Sequence, residues 1–172
     1  MNCPECGKRL TIKKKQTYVY RECGLEDVTI SGIRTLTCSS CNVVYPEIPN
    51  VIGLHELISS ELVKKPSPLT GPEFRFLRKE IGLKAKELAG HLGTTDVTIS
   101  RWETGTNPVH PAADRLVRAF FSLRKMQSAH VIEPKSFVAG VFEQLRSIRA
   151  EKKARPLRIE IPASRFAAAQ TA

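Results

Sequence analysis

The sequence predicts an α+β protein: a small, metal-stapled, β-rich amino-terminal domain with one helix, followed by an all-α bundle and a helical carboxyl-terminal extension. Three observations carry this expectation. Two Cys-x-x-Cys pairs, Cys3/Cys6 and Cys38/Cys41, lie among short β-branched and aromatic runs. From Thr70 to Phe121 the apolar residues recur at steps of three and four, punctuated by glycine. The run Lys64-Lys65-Pro66-Ser67-Pro68 breaks the two patterns apart, which sets expected domains at 1–66, 67–126 and 127–172.

Each Cys-x-x-Cys turn directs two sulfurs at one point while tight-turn amides face them, so two pairs supply the four thiolates of a tetrahedral Zn²⁺. Pro4 and Gly7 suit the first turn. Cys6 and Cys38 are separated by 31 residues, so the chain must leave the metal and return. Thr17–Tyr20, Val28–Ile30 and Ile33–Thr37 read as strands of that excursion, with Ser31-Gly32 as a tight turn and the last strand delivering Cys38. So small a domain buries little apolar surface, and metal substitutes for a core. Iron uses the same four thiolates. Disulfides are disfavoured in a cytoplasmic protein, and a redox Cys-x-x-Cys calls for a βαβ context that the pattern lacks. Cys23 reads as a small buried or partly exposed residue. Val43–Pro46 reads as a further strand, and Asn50 precedes a helix over 51–65 with Leu54, Leu57, Ile58, Leu62 and Val63 at helical spacing.

In the middle segment, Thr70-Gly71-Pro72-Glu73 is a capping-box start for a helix over 71–81 that places Phe74, Leu77 and Ile81 on one face. Leu83 to Leu92 forms the next helix, with Leu83, Leu88, Ala89 and Leu92 inward and Gly93 ending it. Thr94-Thr95 caps a third over Asp96–Glu103, in which Ile99 and Trp102 face inward. Asp96, Val97, Ser100 and Arg101 are left outward on its first two turns, where a recognition helix meets base edges in the major groove. Gly105 closes that helix. His110-Pro111 opens a fourth, with Ala113, Leu116, Val117, Phe120 and Phe121 as its apolar stripe.

The segment Leu83 to Gly105, with Ala89, Gly93 and Ile99-Ser100-Arg101-Trp102-Glu103-x-Gly105, resembles the XRE-type (Cro/C1-type) helix-turn-helix. Together with Cys3, Cys6, Cys38 and Cys41 it resembles, over roughly residues 1–125, the MqsA antitoxin family, also described as YgiT-type zinc-finger/helix-turn-helix proteins. The resemblance implies a zinc-bound, dimeric DNA binder, in some members neutralising a ribonuclease toxin through the zinc domain. It implies the four knuckle cysteines as Zn²⁺ ligands and Arg101 as the principal base-contacting side chain, able to give guanine O6 and N7 two hydrogen bonds. Val97 departs from the polar residue expected there and offers only an apolar touch to a thymine methyl. Thr95, Thr98 and Ser100 are candidates for phosphate or base hydrogen bonds, and Lys84, Lys86 and Asn107 for phosphate anchoring.

Charge agrees with a polyanionic partner. Lys and Arg number 27 against 17 Asp and Glu, a formal charge of +10, distributed as +2, +4 and +4 over the three expected domains. Four zinc-bound thiolates would lower the total to about +8. No apolar run of membrane-spanning length occurs, and the start lacks a secretory signal layout, so a soluble, cytoplasmic protein is expected with no membrane partner. His55, His91, His110 and His130 fall in no catalytic array and no metal position is left open for water activation, so no enzyme is expected.

In the extension, Pro134 opens a helix with Val138, Val141, Phe142, Leu145 and Ile148 as a stripe and a basic end, Leu157–Pro162 alternates like an edge strand or extended arm, and 167–172 reads as frayed. The function expected is a sequence-specific repressor, binding a palindromic operator in double-stranded DNA as a homodimer and acting as the antitoxin of a toxin pair. A stand-alone regulator without a toxin and a protein-interaction adaptor are the alternatives.

Overall fold

β2 (Val28–Thr37) organises the amino-terminal half of the chain in the computed structural model, which describes residues 1–128, 140–143, 145–148 and 154–167. β1 (Thr11–Val19) and β3 (Val44–Glu47) pair with it antiparallel, and β4 (Ile159–Pro162) pairs with it in parallel. β3 takes Arg34 to Thr37 and β4 takes Val28 to Ser31, so the two short strands meet successive halves of β2. The alternation read in Leu157–Pro162 is a strand that buries Ile159 and Ile161 and exposes Glu160. It is tied at its ends by Ile159 N–H to Asp27 O at 2.8 Å and Ala163 N–H to Ser31 O at 2.8 Å. A short helix (Ser164–Ala167) follows and buries Phe166.

Two local expectations are corrected here. Ser31-Gly32 is not a turn. β2 runs straight through it, and Gly32, at φ +78°, is an extra residue between the pairs Gln16↔Ile33 and Thr17↔Ser31. A bulge of this kind needs the same positive φ as a tight turn, which is why the dipeptide is ambiguous in sequence. It also shifts the side-chain phase: Val28 and Ile30 are buried before it, Ile33 and Thr35 after it. Likewise β1 begins at Thr11, not Thr17, and carries Lys13, Lys14 and Lys15 exposed on an edge strand, where charge is tolerated.

Contacts divide the described residues into two units. The first holds the sheet, the four cysteines of the two Cys-x-x-Cys pairs and the start of α1 (Val51–Lys64) as far as Leu57; the second holds Cys23–Leu25 and Ile58–Leu157. Asn50 starts α1, its Oδ1 accepting from Gly53 N–H at 2.8 Å.

In the second unit, α2 (Gly71–Ile81), α3 (Ala85–Leu92), α4 (Asp96–Glu103) and α5 (Pro111–Ser128) follow the expected order. Thr70 and Glu73 form the capping box, and Gly82 and Gly93 close α2 and α3 in left-handed conformations. α3 starts two residues later than expected, with Lys84 at the cap position and its N–H donating to the Glu87 carboxylate at 2.6 Å. Ile58, Leu62, Phe74, Leu77, Leu88, Ile99 and Val117 are fully buried.

The stripe expected on α5 is corrected at Leu116, which is exposed; Asp114 and Arg118 are buried instead, on the face of Ala113, Val117 and Phe121. Arg118 is buried because it has a complete set of acceptors. Its guanidinium donates to Leu62, Val63, Lys65 and Ser67 carbonyls at 3.2, 3.1, 2.6 and 2.9 Å and pairs with Asp114 at 2.6 Å, closing the open carbonyls at the end of α1. Asp114 also accepts Leu69 N–H at 2.6 Å. A second buried pair, Lys65 to Glu73 at 2.6 Å, holds the returning chain: Lys65 donates to Arg155 O and Glu73 accepts Leu157 N–H at 2.8 Å. Residues 140–143 and 145–146 are helical, as expected, but the expected stripe is corrected at two places: Phe142 is exposed, and Ile148 is buried beyond the helical residues, after a turn at Ser147. Pro134 and Val138 of that expected helix, and 168–172 of the expected frayed end, lie outside the described residues.

Candidate metal centre and nucleic-acid interface

The two Cys-x-x-Cys turns are built alike. In the first, Gly7 N–H donates to Cys3 O at 2.8 Å and Gly7 takes φ +71°. In the second, Asn42 N–H donates to Cys38 O at 3.0 Å and Asn42 takes φ +57°. Glycine and asparagine are the residues that enter the left-handed region at least cost. Each turn therefore ends in a residue suited to it, and each presents its sulfurs toward the other.

All four sulfurs lie within 4.8 Å of one another. Cys3 and Cys41 are 3.5 Å apart, Cys6 and Cys38 3.4 Å, and Cys6 and Cys41 3.8 Å. A regular tetrahedron around an ion with metal–sulfur bonds of about 2.3 Å has edges of about 3.8 Å. The cluster has those dimensions, so it can hold one metal ion. A disulfide requires sulfurs about 2.05 Å apart, and all five cysteines are free thiols. Cys23, half-buried, is not one of the four.

Backbone amides prepare two of the thiols for ionisation. N–H groups of Cys41 and Ser40 hold Cys38 down to about 6. Burial raises the Cys3 thiol, but N–H groups of Cys6 and Glu5 outweigh it and hold the net value below the ordinary thiol range. The Cys38 sulfur, in turn, pushes Cys41 up to about 12. At Cys6 the Lys8 amide lowers the value, yet the Cys38 sulfur and burial together leave it raised. This is what four like charges sharing one small volume must do until a cation joins them. The Tyr45 hydroxyl lies 4.0 Å from Cys3 Sγ. Reading Val43–Pro46 as a strand missed this neighbour; its signal is an aromatic hydroxyl four positions beyond Cys41.

The other candidate site is the outer edge of α4. Thr95 caps it, its Oγ1 accepting Thr98 N–H at 3.2 Å, and the same hydroxyl lies 3.0 Å from Thr98 Oγ1. Asp96, Val97, Ser100 and Arg101 are exposed, while Ile99 is fully buried and Trp102 half-buried, its ring edge-on to Phe74 at 5.9 Å. Lys84, Lys86 and Asn107 are exposed as well, and Asn107 N–H donates to Arg101 O at 3.1 Å.

Two contacts that sequence reasoning missed hold α4 against α2. Arg78 donates to both carboxylate oxygens of Glu103, at 2.5 and 3.1 Å, and to Leu83 O at 2.6 Å. Gly71 sits so close to the end of α4 that a Cβ there would meet Trp102 O at 2.4 Å and Glu103 O at 2.7 Å.

A run of helices joined by tight glycine turns, with one short helix buried on its inner side and polar on its outer side, is a known arrangement, and residues 74–119 match the family described as Helix-turn-helix. This segment is a helix-turn-helix domain. Domains of this family belong to DNA-binding transcriptional regulators. No curated protein matches the chain. No helix among the described residues is long and apolar enough to cross a membrane.

Proposed function

We propose that this protein is a sequence-specific repressor that reads DNA with the outer edge of α4 and carries structural Zn²⁺ on Cys3, Cys6, Cys38 and Cys41. The observation that carries the reading is the exposure of Val97, Ser100 and Arg101 on a helix whose opposite side is anchored by Ile99, Trp102 and Glu103. A rigid helix with an outward arginine can present that side chain to guanine, with Val97 against a thymine methyl and Ser100 beside it. Thr95, Asp96 and Thr98 shape the first turn, and Lys84, Lys86 and Asn107 contact phosphates. One such helix reads about half a site, so the protein binds a palindromic operator as a homodimer. Zn²⁺ supplies folding free energy and no reaction chemistry: thiolates fill all four positions.

The test is anisotropy titration against an operator selected from a random duplex library. Arg101→Ala costs about 1–3 kcal/mol and relaxes preference at one base pair per half-site. Lys84→Ala weakens binding to all duplexes alike and reduces the salt slope by about one. Undiminished operator affinity of Arg101→Ala at matched salt removes the assignment.

The reading extends to an antitoxin, supported by the four-cysteine cluster and helix-turn-helix domain in one chain. Co-purification with the product of an adjacent gene tests that extension separately. An adaptor without DNA affinity fits less well, because Arg101 is exposed and residues 67–126 carry +4.

A further inference from the structure

Within the second unit a cavity of about 470 Å³ opens between the end of α1, the second half of α5 and the helical residues 140–143. Its volume lies in the range of small-molecule sites, about 300–1,000 Å³. Val63, Phe121 and Val141 make its walls apolar. Its charged groups are of one sign: Lys64 comes from α1 and Lys125 from α5, and no carboxylate lines it among the described residues. Lys64 is shared with Glu61 at 3.9 Å, an exposed pair of small consequence. Lys125 is held across the opening, its Nζ donating to Ser60 Oγ at 3.1 Å.

An apolar chamber with a cationic rim complements a ligand that is apolar along its length and anionic at one end. A neutral apolar ligand would leave the two ammonium groups without use, and a small inorganic anion would leave the walls without use. We propose that this cavity binds a single-chain amphipathic carboxylate, with its hydrocarbon body against Val63, Phe121 and Val141 and its carboxylate between Lys64 and Lys125. The head would be recognised by charge-assisted hydrogen bonds and the body by area removed from water. Specificity then requires both parts in one molecule.

Isothermal titration calorimetry of the full chain with decanoate, kept below its micelle-forming concentration, tests this. Decyltrimethylammonium serves as the same body with the opposite charge, and acetate as the same head without the body. Saturable binding of decanoate at one per chain is expected, with neither control binding. Lys125→Glu should weaken decanoate by about tenfold or more. Gly140→Phe, at a position where an added Cβ meets nothing within 4 Å, should fill the chamber and abolish binding. Thermal melting of both variants establishes that they fold; Lys125 is exposed, so the charge variant stands if the filling variant does not. No saturation by decanoate, equal binding of the cationic amphiphile, or undiminished affinity in Lys125→Glu overturns the proposal. Binding is read on the DNA-free chain, so it succeeds or fails independently of operator recognition.

Discussion

Arg78 and Glu103, 25 positions apart, form a two-pronged ion pair whose side chains are only 10% and 9% exposed. Through it the last residue of α4 is tied to α2, and Arg78 also reaches Leu83 O at the turn into α3. Two helices of the domain and the turn into a third thus share one guanidinium. Removing Arg78 leaves the buried Glu103 carboxylate with only the exposed Arg75, 3.7 Å away, as a counter-charge. Arg78→Met is expected to cost about 3 kcal/mol or more in urea unfolding, while Arg78→Met with Glu103→Leu recovers most of that loss. If the double variant is no more stable than the single, the pair is not the unit that holds α4.

Gly71 makes the complementary point by absence of a side chain. Its Cβ would strike the carbonyls of Trp102 and Glu103, and backbone cannot swing aside as a flexible side chain can. Gly71→Ala is therefore expected to destabilise by about 1–3 kcal/mol and to weaken operator binding through a displaced α4, with Arg101 intact. Wild-type stability in thermal unfolding would contradict the close approach.

The cysteine cluster should announce its ionisation state when metal enters. All four ligands must be thiolates, so Zn²⁺ displaces whatever protons the metal-free thiols hold. At pH 7 Cys41, pushed up to about 12, and Cys6, also raised, hold theirs, whereas Cys38, near 6, has already lost most of its proton. Calorimetric titration in buffers of different ionisation enthalpy should count more than about two released protons per ion and fewer than the four of unperturbed thiols. The pH dependence has a fixed sign. Affinity falls as pH falls, and once pH passes below about 6 the Cys38 thiolate is also lost and the decline steepens. Metal content near one per chain by elemental analysis, abolished in Cys38→Ser, completes the check.

β4 offers a test of its own. Ile161 is buried and pairs with Ile30, so Ile161→Asp places a charge in an apolar site and is expected to cost more than about 2 kcal/mol in the first unit. Hydrogen exchange should accelerate in residues 28–31, which β4 covers, more than in residues 34–37, which β3 covers. Uniform acceleration along β2 would mean that the two halves do not open separately.

What the sequence by itself determined is the part of this protein written in short-range chemistry. The two Cys-x-x-Cys turns, the capping box Thr70/Glu73, the stops at Gly93 and Gly105, and the burial of Ile99 beside an exposed Arg101 all depend on residues within about one or two helical turns of each other. Only the tertiary structure decided what depends on a distant partner. The alternation at Leu157–Pro162 left an edge strand and an extended arm both open, and its neighbour, which makes it a strand, lies in β2 more than a hundred residues earlier. Ser31-Gly32 asks for a positive φ in a turn and in a bulge alike, and the continuous pairing with β1 chose the bulge. Leu116 looks like core and Arg118 like surface, yet the open carbonyls at the end of α1 give the guanidinium its acceptors, and the leucine is left outside. Local pattern records what a residue prefers in isolation; a buried charge or a paired strand exists only where another part of the chain satisfies its hydrogen bonds.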